Sequence, residues 1–157
     1  MSQTYAKIFD EENILIYERK GKTFIPSGST FPIFEHALRT GERVPARATF
    51  EFTEAPFWER APEEKPQIRI ISKNLDDASS FPKLVSVVKN TSRRDIQDIA
   101  FVALLFDENR NLVNASKTIL SRLKREDSDT LVFTWPESFT TTIAKIEIIP
   151  VDYTVGN

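Results

Sequence analysis

Apolar and polar residues alternate with a period of two along much of this chain, and this alternation restricts its fold more than any other feature. In ARATFEF (46–52), Ala48, Phe50 and Phe52 would lie on one side of an extended chain, and the charged residues would lie on the other. Such alternation is typical of half-buried β-strands. The same pattern occurs in IRIIS (68–72), LVSVVKN (84–90), TLVFTWPE (130–137) and AKIEII (144–149).

One segment, ASKTILSRLKRE (115–126), has a composition that a helix would also accept. The elements on both sides of it are predicted strands, so we predict a strand followed by a loop. The twelve Phe and the many β-branched residues favour strands elsewhere in the chain. The sequence therefore predicts an all-β protein.

A short phrase occurs twice, as IFDEENILI (8–16) and as LFDENRNLV (105–113). Asp and Asn favour turns because their side chains bond the nearby backbone and tolerate left-handed conformations. We therefore predict two β-hairpins. In the first hairpin, one strand ends at Phe9 and Asp10 and the next begins at Leu15 and Ile16. In the second hairpin, one strand ends at Phe106 and Asp107 and the next begins at Leu112 and Val113.

The likeness extends beyond the phrase, which indicates an internal duplication. An offset of 97 carries Ile8 to Glu11 onto Leu105 to Glu108, an offset of 100 carries STF (29–31) onto DTL (129–131), and an offset of 96 carries ATFEF (48–52) onto AKIEI (144–148). We predict a partial repeat at 1–53, a linker at 54–66 and a complete domain at 67–157.

The segment between the copies, TEAPFWERAPEEKPQ (53–67), contains three prolines and four glutamates and is typical of an interdomain linker. Phe57 and Trp58 are its aromatic residues, and no alternation buries them in a strand. We expect them to pack between the two domains, and they are the possible interaction residues of the chain.

The second copy resembles the FxLYD-type immunoglobulin-like domains of bacterial surface and membrane-anchored proteins. The matching run is ALLFD (103–107), with AKIFD (6–10) in the first copy; Ala stands in place of the leading Phe, and Phe in place of the Tyr. VVKNTS (87–92) and FTWPE (133–137) are similar to the family's flanking strands. The resemblance covers 67–153 and part of 5–53. It implies an immunoglobulin-like β-sandwich ectodomain in tandem, without a catalytic set.

The core of the complete domain is predicted from the alternating apolar positions. Trp135 shares a face with Leu131 and Phe133, which favours burial over a role as an exposed binding platform. The predicted core residues are Ile70, Val85, Val87, Ile99, Leu105, Phe133, Trp135, Ile146 and Ile148.

Composition disfavours several classes of function. The net charge is -2 with the charges interleaved, so there is no electrostatic footprint for nucleic acid. Cysteine is absent, which removes disulfides, thiolate metal sites and a cysteine nucleophile. The longest apolar run, IAFVALLF (99–106), is far shorter than the roughly 20 residues of a membrane span. We predict no span in this chain and an anchor elsewhere in the full-length protein.

Several residues could belong to a catalytic or metal site, but a structural role explains each of them more simply. The single histidine, His36, has no marked nucleophile or orienting carboxylate. Asp107, Asn109 and Asn111 have the alternate spacing of a calcium loop, but Leu112 and Thr118 occupy the places of its Gly and its bidentate Glu, so a hairpin turn is favoured. The carboxylate pairs Glu63-Glu64 and Asp76-Asp77 lie in polar, loop-like segments. We predict no catalytic residue, no cofactor and no metal.

The two copies do not begin alike. Only seven residues, Met1 to Lys7, precede IFDE, whereas residues 67–104 precede LFDE. We expect the first copy to lack its opening strands and to expose a strand edge. Three arrangements could cover the exposed edge. The natural chain could be longer, a partner or second copy could supply the strands, or the first copy could be a reduced sheet packed on the second domain. The partner is expected to be a protein, or a second copy, at the open edge.

These features lead to a prediction of function. We expect a non-catalytic structural or protein-interaction module of an extracytoplasmic, membrane-anchored protein of the cell envelope. The alternatives are a carbohydrate-binding module and a carboxylate-based hydrolase whose site no local motif reveals. Because fold alone does not fix function, these alternatives stay open at the level of sequence.

Overall fold

The computed structural model of the protein describes residues 2–23, 31–35, 38–55, 67–77 and 80–155. Over these residues every regular element is a β-strand, which confirms the all-β prediction. The chain divides into two compact units, Met1–Pro62 and Glu63–Asn157. The division falls inside the segment 54–66.

The first unit contains one antiparallel sheet. Its strands are β1 (Ser2–Phe9), β2 (Leu15–Thr23) and β3 (Arg47–Phe52), in the spatial order β2-β1-β3. The hairpin ends lie where the sequence predicts them, because β1 ends at Phe9 and β2 opens at Leu15. The central strand β1 ends with the Ile8 and Phe9 of the repeated phrase and has one neighbouring strand along each edge.

The second unit contains two antiparallel sheets. The first has the order β4-β5-β8 and the second has the order β7-β6-β9. Their strands are β4 (Ile68–Asp76), β5 (Lys83–Asn90), β6 (Ile96–Phe106), β7 (Leu112–Leu123), β8 (Ser128–Thr134) and β9 (Lys145–Val155).

Two local predictions can be checked against these strands. The ambiguous segment 115–126 is strand through Leu123 and then a turn, as predicted. The likeness of residues 29–31 to 129–131 does not extend to secondary structure: Leu131 lies in β8, whereas Phe31 lies outside any strand. Ser29 and Thr30 are outside the described residues.

Both sheets of the second unit contribute side chains to one apolar core, in a β-sandwich-like arrangement. The largest of these side chains are fully buried because they point from one sheet towards the other. Residues of β5 and β8 provide one side of the core and residues of β6, β7 and β9 the other. The core consists of Leu84, Val88, Ile96, Ile99, Phe101, Ala103, Leu105, Leu123, Leu131, Phe133, Trp135 and Ile148.

The predicted core is correct except on β5. Ile99, Leu105, Phe133, Trp135 and Ile148 are buried, and Ile70 and Ile146 pack against the cluster as half-buried residues. The prediction for Val85 and Val87 is wrong, because the buried face of β5 carries Leu84, Ser86, Val88 and Asn90 instead.

Hydrogen bonds allow polar residues to lie on the buried face of β5. The Ser86 hydroxyl donates to the Ser72 carbonyl at 2.7 Å, so this polar side chain is buried without losing its bond. Alternation predicts two faces but does not say which of them is buried. Because Ser86 and Asn90 are polar, the alternation predicted that the face they share is exposed, whereas it is the buried face.

Candidate interaction surfaces

The two copies of the repeated phrase fold into matching turns. In the first, the Ile14 N–H donates to Asp10 Oδ1 at 2.8 Å, and in the second the Asn111 N–H donates to Asp107 Oδ1 at the same distance. The aspartate N–H in turn donates to the carbonyl of the same partner residue, at 3.1 Å in both cases. Each aspartate therefore closes its hairpin with its carboxylate and its backbone.

Further details are shared by the two hairpins. The third residue after each aspartate is left-handed, with φ of 62° at Asn13 and 66° at Arg110. The pairing register shifts just before the terminal phenylalanine of each strand, between Ile8 and Phe9 and between Leu105 and Phe106. Such a shift is a β-bulge, which strengthens the local twist of the strand.

The third strand of each sheet also joins in the same way. The Ala46 N–H donates to the Phe9 carbonyl at 2.9 Å, and the Ala144 N–H donates to the Phe106 carbonyl at 2.8 Å. One residue later, the Arg47 guanidinium lies 4.2 Å from the Phe9 ring centroid, and in the second sheet the Lys145 ammonium lies 5.7 Å from that of Phe106. These are cation–π contacts.

The register also corrects the sequence alignment of these strands. Arg47 pairs with Phe9, and Lys145 pairs with Phe106. The geometric offset between β3 and β9 is therefore 98 residues, and the offset of 96 inferred from the sequence is wrong by two. Both offsets are even, so the assignment of residues to faces is unaffected.

Hydrogen bonds lower the pKa values of the aspartates in these two turns. Bonds from the Asn111 side chain and N–H lower the pKa of Asp107. Burial of Asp10 raises its pKa, but the Ile14 N–H and the Arg43 guanidinium outweigh that effect and leave the pKa lowered overall. Both groups therefore stay ionised as parts of the turn.

A third aspartate ties two loops of the second unit together. Asp95 precedes β6, and its carboxylate accepts the Arg125 N–H at 2.9 Å and bonds the Arg122 guanidinium. The Arg125 N–H and then Arg122 lower the pKa of Asp95. Its pKa shift reflects a structural clamp.

The residues considered for calcium are also turn residues. Asp107 Oδ2 accepts the Asn111 amide at 3.0 Å, so both carboxylate oxygens have protein partners. Over the described part of the chain, no group of three or more histidine or acidic side chains is placed to hold a metal ion.

The asparagine of the VVKNTS run is a buried structural residue. Asn90 ends β5, and its amide donates to the Arg94 and Leu123 carbonyls at 2.8 and 3.1 Å. Its Oδ1 accepts the Ser92 N–H at 2.9 Å. These bonds fix the turn from β5 towards β6, so the polar run has a structural role.

The first sheet has two unlike faces, because cross-strand neighbours share a face. One face is polar: the Tyr5 hydroxyl bonds Glu18, Lys7 pairs with Glu51 at 3.1 Å, and the Lys7 ammonium lies 4.4 Å from the Tyr5 ring centroid. The other face is apolar along β1 and β3, where Ala6 and Ile8 lie with Ala48, Phe50 and Phe52 beside the buried Thr4. Its β2 side carries Tyr17, Arg19 and Gly21.

The β3 side of that apolar face is exposed. Phe50 and Phe52 are 45% and 41% exposed, and their rings pack edge to face at 5.5 Å. In the second unit Ile148 pairs with Ala103 as Phe50 pairs with Ala6, yet Ile148 is only 9% exposed. The same position is therefore core in one sheet and surface in the other.

A groove of about 530 Å³ lies between the edge strands of the two sheets in the second unit. β4 contributes Ile70 and Lys73, and β9 contributes its stretch from Lys145 to Ile149. The Lys73 ammonium donates to the Ile146 carbonyl at 2.7 Å. Sequence reasoning missed this surface, because its two walls are more than 70 residues apart in the chain.

Trp135 is not a binding platform. It is buried, its indole N–H donates to the Ala115 carbonyl at 3.2 Å, and its ring packs edge to face on Phe139 at 5.3 Å. A second cavity, of about 400 Å³, lies beside this pair. Because the indole is only 4% exposed, it offers no open face for stacking on a ligand.

Several predicted residues lie outside the described part of the chain. These are the interaction residues Phe57 and Trp58, the histidine His36, and the pair Glu63 and Glu64. Asp76 and Asp77 are described and are exposed, as solvated carboxylates are. Over the described residues, no helix is long and apolar enough to cross a membrane.

Comparison of the chain with protein-family models, with curated proteins and with solved structures yields no match.

Proposed function

We propose that this chain is a non-catalytic structural or protein-interaction module built from two related immunoglobulin-like copies, the first partial. The observation that carries the proposal is the matched construction of the sheets β2-β1-β3 and β7-β6-β9. They share strand order, turn bonds, bulge position and a cation over the terminal phenylalanine. Independent hairpins would not be expected to agree in all four.

The strand order of the second unit supports the immunoglobulin-like part of the proposal. If β4, β5 and β8 are strands A, B and E, then β7, β6 and β9 take the places C′, C and F. In this assignment the FxLYD-like run lies at the end of the strand in the C place, and the resemblance places such a run at a strand end. This assignment contains no strand in the G position beyond β9 over the described residues.

The described carboxylates with shifted pKa values support a structural role. Asp10, Asp95 and Asp107 have lowered pKa values, and each is bonded to a turn N–H. A general acid in a glycosidase needs a raised pKa instead. The buried, bonded Trp135 likewise disfavours the carbohydrate-binding alternative.

Display outside the cytoplasmic membrane is part of the proposal, and it rests on the resemblance. It is tested by treating intact cells that express the native gene with a protease and probing with an antibody to residues 67–157. We expect loss of the epitope while a cytoplasmic marker survives. An epitope protected until the cells are lysed would refute extracytoplasmic display.

The absence of catalysis is tested with glycoside and ester substrates on the purified chain. The variants D10N, D95N and D107N each replace a carboxylate that has a shifted pKa by an amide of nearly the same shape. We expect no turnover from the wild type beyond that of the buffer. Turnover abolished by one of these changes, without loss of folding, would favour the hydrolase alternative.

A further inference from the structure

Among the described strands, none pairs with the outer edge of β9. Over the described residues, β9 pairs with β6 along one edge only, and the groove with β4 lies along the other. An edge strand presents N–H and C=O groups that can template a further strand. In an antiparallel ladder the N–H and C=O of a residue point to the same side, so the Ile146 carbonyl facing Lys73 marks Ile146 as an outward-facing residue.

We infer that β9 pairs antiparallel with β9 of a second copy of this chain, centred on Ile146. This inference specifies the partner for the proposed interaction module, and it rests on that proposal. In this register each Lys145 lies opposite the partner's Glu147, on both sides of the twofold axis. The self-complementary contact is that of a closed C2 dimer.

Charge selects this register over its neighbours. Centring the pair on Lys145 or on Glu147 would place identical charges opposite each other, which is destabilising. Within one chain Lys145 and Glu147 already form an ion pair at 2.6 Å. Pairing with a second copy replaces that contact by two cross-strand ion pairs on the same sheet face.

Apolar surface favours the same arrangement. Ile70 and Ile146 are half-buried at the edge of the core and line the groove. With β9 extended by a second β9, the Ile146 side chains of the two copies become neighbours on the inner face of one continuous sheet. Pro150, which follows the paired stretch, lacks an N–H and limits the ladder in that direction.

Lys73 opposes the pairing and thereby gives a test. Its ammonium occupies the Ile146 carbonyl that the second copy would use. A lysine at a strand edge is a common means of limiting association. We therefore expect a weak dimer in the wild type and a tighter one in K73A.

Sedimentation velocity on the full chain across a concentration series measures the association. K145E and E147K each create two like-charge contacts, and we expect each to weaken the dimer roughly tenfold. The double change K145E/E147K restores opposite charges across the axis and should recover wild-type association. Circular dichroism of each variant checks that the monomer remains folded.

A cysteine reporter tests the register independently, because the chain contains no cysteine. Residues in a hydrogen-bonded antiparallel pair have Cα atoms about 5.5 Å apart, within disulfide range. We expect I146C to form a disulfide dimer on mild oxidation. The matched control is I119C on β7, at the opposite edge of the same sheet, which should stay monomeric.

Three outcomes would overturn the inference. In the first, wild type and K73A both remain monomeric at all concentrations. In the second, the double charge reversal fails to recover the association that is lost in the single variants. In the third, I119C crosslinks as readily as I146C. None of these results bears on protease accessibility or on turnover, so the proposed function can stand if the dimer fails.

Discussion

The two matched sheets differ in what covers them. In β7-β6-β9 the inner face is packed against β4-β5-β8, and Phe101, Ala103 and Leu105 are fully buried. In β2-β1-β3 the corresponding face carries Thr4, Ala6 and Ile8, and the two Phe residues of β3 remain exposed. The hairpin geometry is the same in both sheets. It is therefore set by local bonds and does not require a packed core.

The first unit has polar side-chain contacts at its turn and on the β2 side of its sheet, where Arg19 lies opposite Ala6. The Arg43 guanidinium bonds the buried Asp10 carboxylate, and Arg19 pairs with Glu35 at 2.8 Å. The corresponding turn of the second unit is held by bonds within the turn itself, from Asn111 to the Asp107 carboxylate and from the Arg110 N–H to the Asp107 carbonyl. We infer that the apolar core stabilises the second unit and that polar side-chain contacts carry more of the stability of the first.

Truncating matched core positions is the strongest way to break this comparison. Leu105 and Ile8 each precede the terminal phenylalanine of their strand, but Leu105 is fully buried and Ile8 is half-buried. We expect L105A to lower the free energy of unfolding of the second unit by about 2–5 kcal/mol, as for other buried leucines. We expect I8A to cost less than about 2 kcal/mol, because part of the side chain is already in water.

Urea unfolding followed by circular dichroism measures both variants. The comparison would fail if I8A and L105A were equally destabilising, since that would require Ile8 to be covered in solution. A wild-type-like L105A would contradict the assigned core.

Sequence reasoning succeeded where the causes are local. The hairpin ends at Phe9, Leu15, Phe106 and Leu112 follow from side chains that bond their own turn. It failed where distant strands decide: Ser86 is buried because β5 turns the face of Leu84 and Val88 to the core, and the pairing with Phe106 sets the register of β9. The groove could not be predicted, because it exists only once β4 and β9 are brought together.

A second contrast concerns Phe50 and Ile148, which occupy matched places opposite an alanine. I148T places a hydroxyl in the core and leaves a void, so we expect a loss of about 2 kcal/mol. F50T removes an exposed ring and its edge contact with Phe52, at a cost of about 1 kcal/mol. Binding of a hydrophobic dye should fall in F50T and rise in I148T. A dye signal unchanged in F50T would show that the first sheet's face is covered in solution.

The loss of stability at acidic pH should differ between the two turns by less than the effects of the core substitutions do. The pKa of Asp107 is lowered from its ordinary value of 3.8, so its stabilisation is present above pH 3.8 and is lost as pH falls through the folded value. The same direction holds for Asp10. We expect D107N and D10N each to flatten the loss of melting temperature below pH 3.8, and D95N to do likewise in the second unit.

Thermal melts between pH 2 and 7 measure this effect. D76N is a matched control, since Asp76 is an exposed carboxylate at the end of β4. An acid response in D107N and D10N that parallels that of D76N would contradict the assignment of these two aspartates as turn clamps.

The smallest expected difference concerns the left-handed residue of each turn. Arg110 and Asn13 have nearly equal positive φ values. A left-handed conformation costs an ordinary residue roughly 1–2 kcal/mol, whereas asparagine adopts it readily. Glycine removes that strain but adds unfolded-state entropy of roughly 0.5–1 kcal/mol. We therefore expect R110G to stabilise the second unit by about 0.5 kcal/mol. We expect N13G to be neutral or slightly destabilising, because it also removes the side-chain oxygen Oδ1 of Asn13, which accepts a bond from the Arg47 guanidinium. Chemical denaturation with several replicates resolves a difference of this size. Equal effects in the two turns would mean that the shared backbone conformation, and not the identity of the side chain, decides their stability.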